Sequence, residues 1–135
     1  MARWIQLYAL TLFAFLALDS VWLGVIAPGF YRQHIGHLLA AQPNWYAAAA
    51  FYLIFIGGLV YFAVEPAASM NSPRTGTLRG AIYGLVTYAT FDLTSHALLQ
   101  GWPLIVTVVD LIWGTTLSGL TATAVVLLHR TRRPR

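Results

Sequence analysis

Residues 89–103 read ATFDLTSHALLQGWP, an apolar stretch with an aspartate at 92, a histidine one helical turn later and a proline at its end. Pro103 suits the first turn of a new helix, where its missing N–H would be unpaired anyway, so the stretch joins the end of one apolar helix to the start of the next. The runs on either side, 78–99 and 103–128, are each long enough to cross a bilayer, which takes about 20 helical residues. Asp92 therefore falls inside a membrane span. Two further runs of that length lie upstream, 4–27 and 43–64. Pro43 again suits a first turn, and Pro28 and Pro66 read as following helix ends.

Composition agrees with this reading. The 135 residues are 59% hydrophobic and 9% charged, with a mean hydropathy of +0.68, whereas a soluble domain carries about 25% charged residues. The chain reads as an all-α polytopic transmembrane bundle of four helices forming a single domain, 1–135. Cysteine is absent, which removes disulfides, thiolate metal sites and cysteine nucleophiles together. The first apolar run exceeds the roughly 7 to 15 residues of a signal-peptide core and lacks a small-x-small cleavage site after it, so it reads as a retained helix.

The arginines set the orientation. Arg3, Arg74, Arg79, Arg130, Arg132, Arg133 and Arg135 fall on one side of a four-helix array and Arg32 alone on the other, which places both termini in the cytoplasm. They cap apolar runs instead of forming a groove-sized cluster, so nucleic acid is not an expected partner and the lipid bilayer is. Trp45 and Trp102 sit at the outer boundary, Trp22 just beneath it and Trp4 at the inner one, where amphipathic rings prefer to lie. The inner loop 65–77 reads as a surface turn. The outer loop, with Tyr31, Arg32, His34 and His37, has room for a short interfacial helix.

Spacing then gives depth. Asp19 and Asp92 each lie about eight residues before the outer end of their helix and Asp110 about eight after the outer start of its own, roughly 12 Å below the boundary at 1.5 Å per residue. The three carboxylates are expected at one level, facing inward. A central aspartate costs about 2.5 to 3.5 kcal/mol in hydrocarbon, so three facing lipid would cost on the order of 10 kcal/mol. Protonation lowers that cost, and at least one of the three is expected to be neutral at pH 7. Glu65 ends the second helix at the inner surface and reads as solvated.

Helical spacing supplies neighbours. His96 follows Asp92 by four residues on one face, with Ser95 beside it and Tyr88 one turn below. Trp22 and Trp113 each stand three residues after an aspartate. The plain alternative for the trio is interhelical hydrogen bonding to Ser20, Thr94, Thr107, Thr115 or a tyrosine, worth about 0.6 kcal/mol per bond. An acid is an expensive way to make such a bond, which favours a ligand or proton site at Asp19, Asp92 and Asp110 with Trp22, Tyr88, Trp113 and His96 around it. His96 taken alone reads more simply as a hydrogen-bond partner near an interface. Gly57 and Gly58, and Gly114 with Ser118, suit close helix approach. No H-x-x-x-H or E-x-x-H pair is present, so a metal centre is not expected. Phosphate-binding glycine loops and nucleophile elbows are absent too. No cofactor can be assigned.

LDSVWLG, GFYRQHIGHLLA, FYLIFIGGLVYFAV followed by Pro66, GLVTYATFDLTS and GWPLIVTVVDLIWGT together resemble a family of small bacterial predicted membrane proteins catalogued as a domain of unknown function. The likeness covers nearly the whole chain. It implies a multi-pass protein of the bacterial inner (cytoplasmic) membrane, and no established activity comes with it. Family members usually carry asparagine where this chain has Ser95 and do not require a histidine at Asp92 plus four, which lowers His96 as a functional residue. Asp19, Asp92 and Asp110, with Trp22, Trp102 and Trp113, fit the family pattern.

Three functions are compatible with this reading. The leading one is a non-enzymatic membrane protein that binds or moves a small amphiphile or protons through an acidic pocket in the outer half of the bilayer. The aromatic neighbours would suit a cation. Four helices are too thin to enclose a pathway, so transport requires a homo-oligomer. The second is a lipid-modifying enzyme using the aspartates as acid and base. The third is an accessory subunit of a membrane complex, in which the acids fix helix register.

Overall fold

The computed structural model describes residues 1–131. Arg132, Arg133 and Arg135, part of the orientation signal, lie outside the described residues. The chain is all-α: helices α1 (Ala2–Leu38), α2 (Trp45–Ser69), α3 (Pro73–Leu98) and α4 (Leu104–Thr131) account for nearly all of it, with no strand among the described residues. Three of them, α1, α2 and α4, are long and apolar enough to cross a membrane. The fourth, α3, is 26 residues long but opens with Arg74 and Arg79 and carries several glycines and threonines.

Side-chain contacts define one end of the bundle, here the terminal end. Arg3 at the start of α1 donates to Ser69 at the end of α2 at 2.8 Å and pairs with Glu65 at 3.4 Å, so Glu65 is an ion-pair partner and not merely solvated. Thr77 near the start of α3 meets Thr123 near the end of α4 at 2.6 Å. At the opposite end Ile35, Trp102 and Val106 form a small buried cluster, with Phe30 and Tyr31 packed on it.

Pro28 and Pro66 depart from their reading as helix-end markers. Each lies just past a π-turn, Trp22–Ile26 and Val60–Val64, and the helix continues beyond it. In these turns the Ala27 N–H reaches the Trp22 carbonyl and the Glu65 N–H reaches that of Val60, one residue further back than in an α-helix. The extra residue lets the chain pass a proline, whose ring would otherwise crowd the carbonyl four residues earlier. An α-helix would pair the Phe62 carbonyl with residue 66. That residue is proline, and Arg79 Nη1 donates to the carbonyl instead, at 3.2 Å. The loop expected over 65–77 accordingly shrinks to 70–72. Asn71 is left-handed there (φ 51°), and Ser72 caps α3 by accepting the Thr75 N–H at 3.3 Å.

The tightest helix pair is α3 with α4, and small residues make it possible. Gly76, Gly80 and Gly84, four apart on α3, face Ala122, Ser118 and Gly114 on α4. A Cβ at Gly80 would stand 2.5 Å from the Ser118 carbonyl oxygen, and one at Gly76 3.2 Å from that of Ala122. Gly114 plays the close-approach role expected of it, against the Tyr88 ring. Gly58 instead makes room for Tyr83, whose hydroxyl donates to the Phe55 carbonyl at 3.0 Å.

Polarity is inverted relative to a soluble bundle. Thr11, Asp19, Asp92, Thr107, Asp110, Ser118 and Thr121 are buried, while Phe13, Val25, Ile54 and Ile112 are largely exposed. Such a surface is stable in hydrocarbon, where polar side chains turn toward the bundle interior.

Candidate functional site

The structure divides the three aspartates into two settings. Asp19 sits where α1, α2 and α4 meet. Its Oδ2 accepts from the Tyr52 hydroxyl at 2.7 Å and its Oδ1 from Trp113 Nε1 at 3.4 Å. Trp113 is itself stacked on Trp22, with ring centroids 4.7 Å apart and planes 13° from parallel. The two D-x-x-W segments thus meet through their tryptophans. Asp19 is thus tied to α4 through Trp113, which stands three residues after Asp110 on the same helix.

Asp92 and Asp110 form the second setting, between α3 and α4. Asp92 is wholly buried, and neither of its carboxylate oxygens meets a donor. The Asp110 carboxyl lines the same cavity as Asp92, and two carboxylates have no hydrogen between them to share. Asp110 Oδ1 accepts from the Tyr31 hydroxyl. Tyr31 reaches this point because α1 continues past Pro28, carrying the tyrosine over the start of α4. Thr107 marks the same spot from the backbone side, linking Trp102 Nε1 at 3.1 Å to the Asp92 carbonyl at 3.4 Å.

These two acids line a cavity of about 310 Å³ together with Phe51, Phe55, Thr87, Tyr88 and Phe91. It occupies the gap between α2 and α3, which pack closely through Val60–Ser69 and part toward the far end. Phe51 and Phe91, 46% and 61% exposed, flank its mouth. The cavity therefore opens sideways through the apolar flank of the bundle, not along its axis. Its walls are aromatic and its polar end is acidic.

Of the residues singled out in the sequence, Asp92, Asp110 and Tyr88 come together in this cavity. Asp19, Trp22 and Trp113 form their own assembly beside it. His96 does not line the cavity; its Nδ1 lies 3.2 Å from the Trp102 carbonyl. Among the described residues no three His, Cys, Asp or Glu side chains converge in a way that could hold a metal ion. Sequence reasoning did not single out Tyr31 or Tyr52, whose hydroxyls donate to Asp110 and Asp19. The hydroxyls of Ser20, Thr94 and Thr115 satisfy carbonyls of their own helices instead.

Residues 4–127 match the family model described as "Predicted membrane protein (DUF2177)". The chain belongs to this family. DUF2177 is a membrane protein family of unknown function, in keeping with the three apolar helices. No curated protein and no solved structure matches the chain.

Proposed function

We propose that this DUF2177 protein binds a small cationic amphiphile at Asp92 and Asp110, admitted sideways from the lipid. In this reading all four helices cross a bacterial cytoplasmic membrane with both termini inside, as the arginine distribution favours, and the cavity lies in the outer half of the bilayer. One observation carries the reading: a fully buried carboxylate without a donor closes an aromatic cavity. A buried charge left unpaired is strongly unfavourable, so the ionised site calls for a partner that brings positive charge and N–H donors. An organic ammonium does both. Its apolar body would rest against Phe51, Phe55 and Phe91, with Tyr88 offering its ring face to the cation.

Roles follow from this geometry. Ionised Asp92 holds the ammonium, Asp110 is the second acceptor, and Tyr31 fixes the Asp110 carboxylate. A proton arriving on the acid pair removes the charge that holds the cation and releases it, which couples ligand exchange to protonation. Moving the ligand across the membrane, beyond binding it, would take a homo-oligomer.

The test is equilibrium binding of 2-phenylethylamine to detergent-purified protein, with 2-phenylethanol as the uncharged control. Saturable amine binding is expected, weakened about ten- to a hundredfold by Asp92→Asn, the range of a charge-assisted hydrogen bond. Equal affinity for amine and alcohol, or an Asp92→Asn variant that binds as well as the parent, would end the proposal.

A further inference from the structure

Arg79 takes no part in the acidic site, and its surroundings point to a different ligand. Its guanidinium is anchored, because Nη1 donates to the Phe62 carbonyl that Pro66 leaves without a helical N–H. Its charge is not neutralised: the ion pair among the described residues is Arg3 with Glu65. An arginine offers five donors in a rigid fork suited to phosphate, and the carbonyl occupies one of the two Nη groups. Directly beside it a second groove of about 370 Å³ is lined by Phe62, Ile82, Tyr83, Val86 and Thr87. Ile82 and Val86 are 56% and 58% exposed on its wall. The groove leads from Arg79 along α3 toward the middle of the bundle. Arg79 is six residues into α3, so it stands about 9 Å from the helix start at 1.5 Å per residue. A fixed cation thus sits at head-group depth above an apolar channel that opens to lipid.

We infer that this groove holds one anionic phospholipid, its phosphate on the Arg79 guanidinium and an acyl chain along Ile82 and Val86. Charge decides between a lipid and a second copy of the chain. The sequence has four side-chain carboxylates: Asp19, Asp92 and Asp110 are buried, and Glu65 is paired with Arg3. A second copy has no free side-chain carboxylate to bring to Arg79, whereas every anionic phospholipid brings a phosphate. The inference does not rest on the amine site, whose cavity adjoins this groove at Thr87 and lies further along the α2–α3 gap.

Native mass spectrometry of the whole protein tests it, after equilibration with equal amounts of phosphatidylglycerol and phosphatidylcholine of matched chains. Phosphatidylglycerol should be retained in preference. Arg79→Gln keeps a donor for the Phe62 carbonyl but loses the charge, and should reduce phosphatidylglycerol adducts about fivefold, the effect of about one basic residue at a membrane surface. Arg74→Gln should leave them unchanged, and Ile82→Trp, which fills the groove with the charge intact, should reduce them as well. A parent protein without head-group preference would overturn the inference. So would an Arg74→Gln loss equal to that of Arg79→Gln, which would mark a diffuse basic surface. An Arg79→Gln variant that changes oligomeric state while keeping its lipid would assign the groove to a second copy.

Discussion

Asp19 and Asp92 are buried almost equally, 6% and 0% exposed, in one small bundle, yet their surroundings are opposite. Asp19 has a donor on each oxygen, from Tyr52 and Trp113. Asp92 has none, and it lines its cavity beside another acid, Asp110. Burial alone therefore does not mark a functional carboxylate. An acid held by donors from two other helices is a joint that ties three helices together, while an acid facing a cavity without donors is half of an interaction. The contrast gives each aspartate a separate signature: loss of the Asp19 assembly should be felt in stability, and loss of Asp92 in binding.

The largest effect should come from the helix contact that creates the Asp92 setting. A Cβ at Gly84 would run into the Gly114 carbonyl oxygen, and Ser118 Oγ lies 2.7 Å from the same point. Backbone cannot retreat as a flexible side chain can, so Gly84→Val should force α3 from α4 and lower stability by about 3 kcal/mol, at the upper end of overpacking costs. Thermal unfolding in detergent would measure it, and amine binding should vanish with the fold of the acid pair. A variant that melts like the parent would mean that the α3–α4 interface is looser than the glycine spacing requires.

The next prediction sets the two aspartates directly against each other. Tyr52→Phe removes a hydroxyl and leaves Asp19 Oδ2 without that donor, a loss of about 1 to 2 kcal/mol for a buried group whose partner is deleted. Amine binding should be unaffected, because Tyr52 does not line the cavity. Asp92→Asn should do the reverse, with stability held within about 0.5 kcal/mol or raised, since it removes an unpaired buried charge and supplies a donor toward Asp110. Chemical unfolding and amine titration on the same two samples separate the outcomes. If Asp92→Asn were the destabilising change and Tyr52→Phe the silent one, the assignment of joint and site would have to be exchanged.

How far this division was legible in the sequence depended on which physical signal carried it. Long apolar runs reveal helices directly, and a carboxylate inside one is visible without any structure. The small-residue spacing of Gly76, Gly80 and Gly84 is as readable as that of Gly114 and Ser118 opposite it, whereas the room at Gly57 and Gly58 serves a tyrosine ring instead of a neighbouring helix. The donors were harder to see. Tyr31 reaches Asp110 only because a π-turn carries α1 past Pro28, and a proline in a sequence signals a break far more often than a bypass. Tyr52 looks like any other aromatic on an apolar helix until its partner is known.

The smallest effect is predicted for His96, and its smallness is informative. Helical spacing sets it one turn from Asp92, yet taken alone it reads as a hydrogen-bond partner near an interface. In the structure the ring is outside the cavity and its Nδ1 meets the Trp102 carbonyl at 3.2 Å, a contact near the loop joining α3 to α4. Residues at i and i+4 share a face only approximately, and Asp92 turns into the α3–α4 interface while His96 lies beyond it. His96→Ala should therefore cost no more than about 0.5 kcal/mol, as expected for a substitution away from packed or networked groups, and should leave amine affinity unchanged. A loss of affinity approaching that of Asp92→Asn would bring the imidazole back into the site as a further acceptor facing the ligand, and the acid pair could no longer account for recognition by itself.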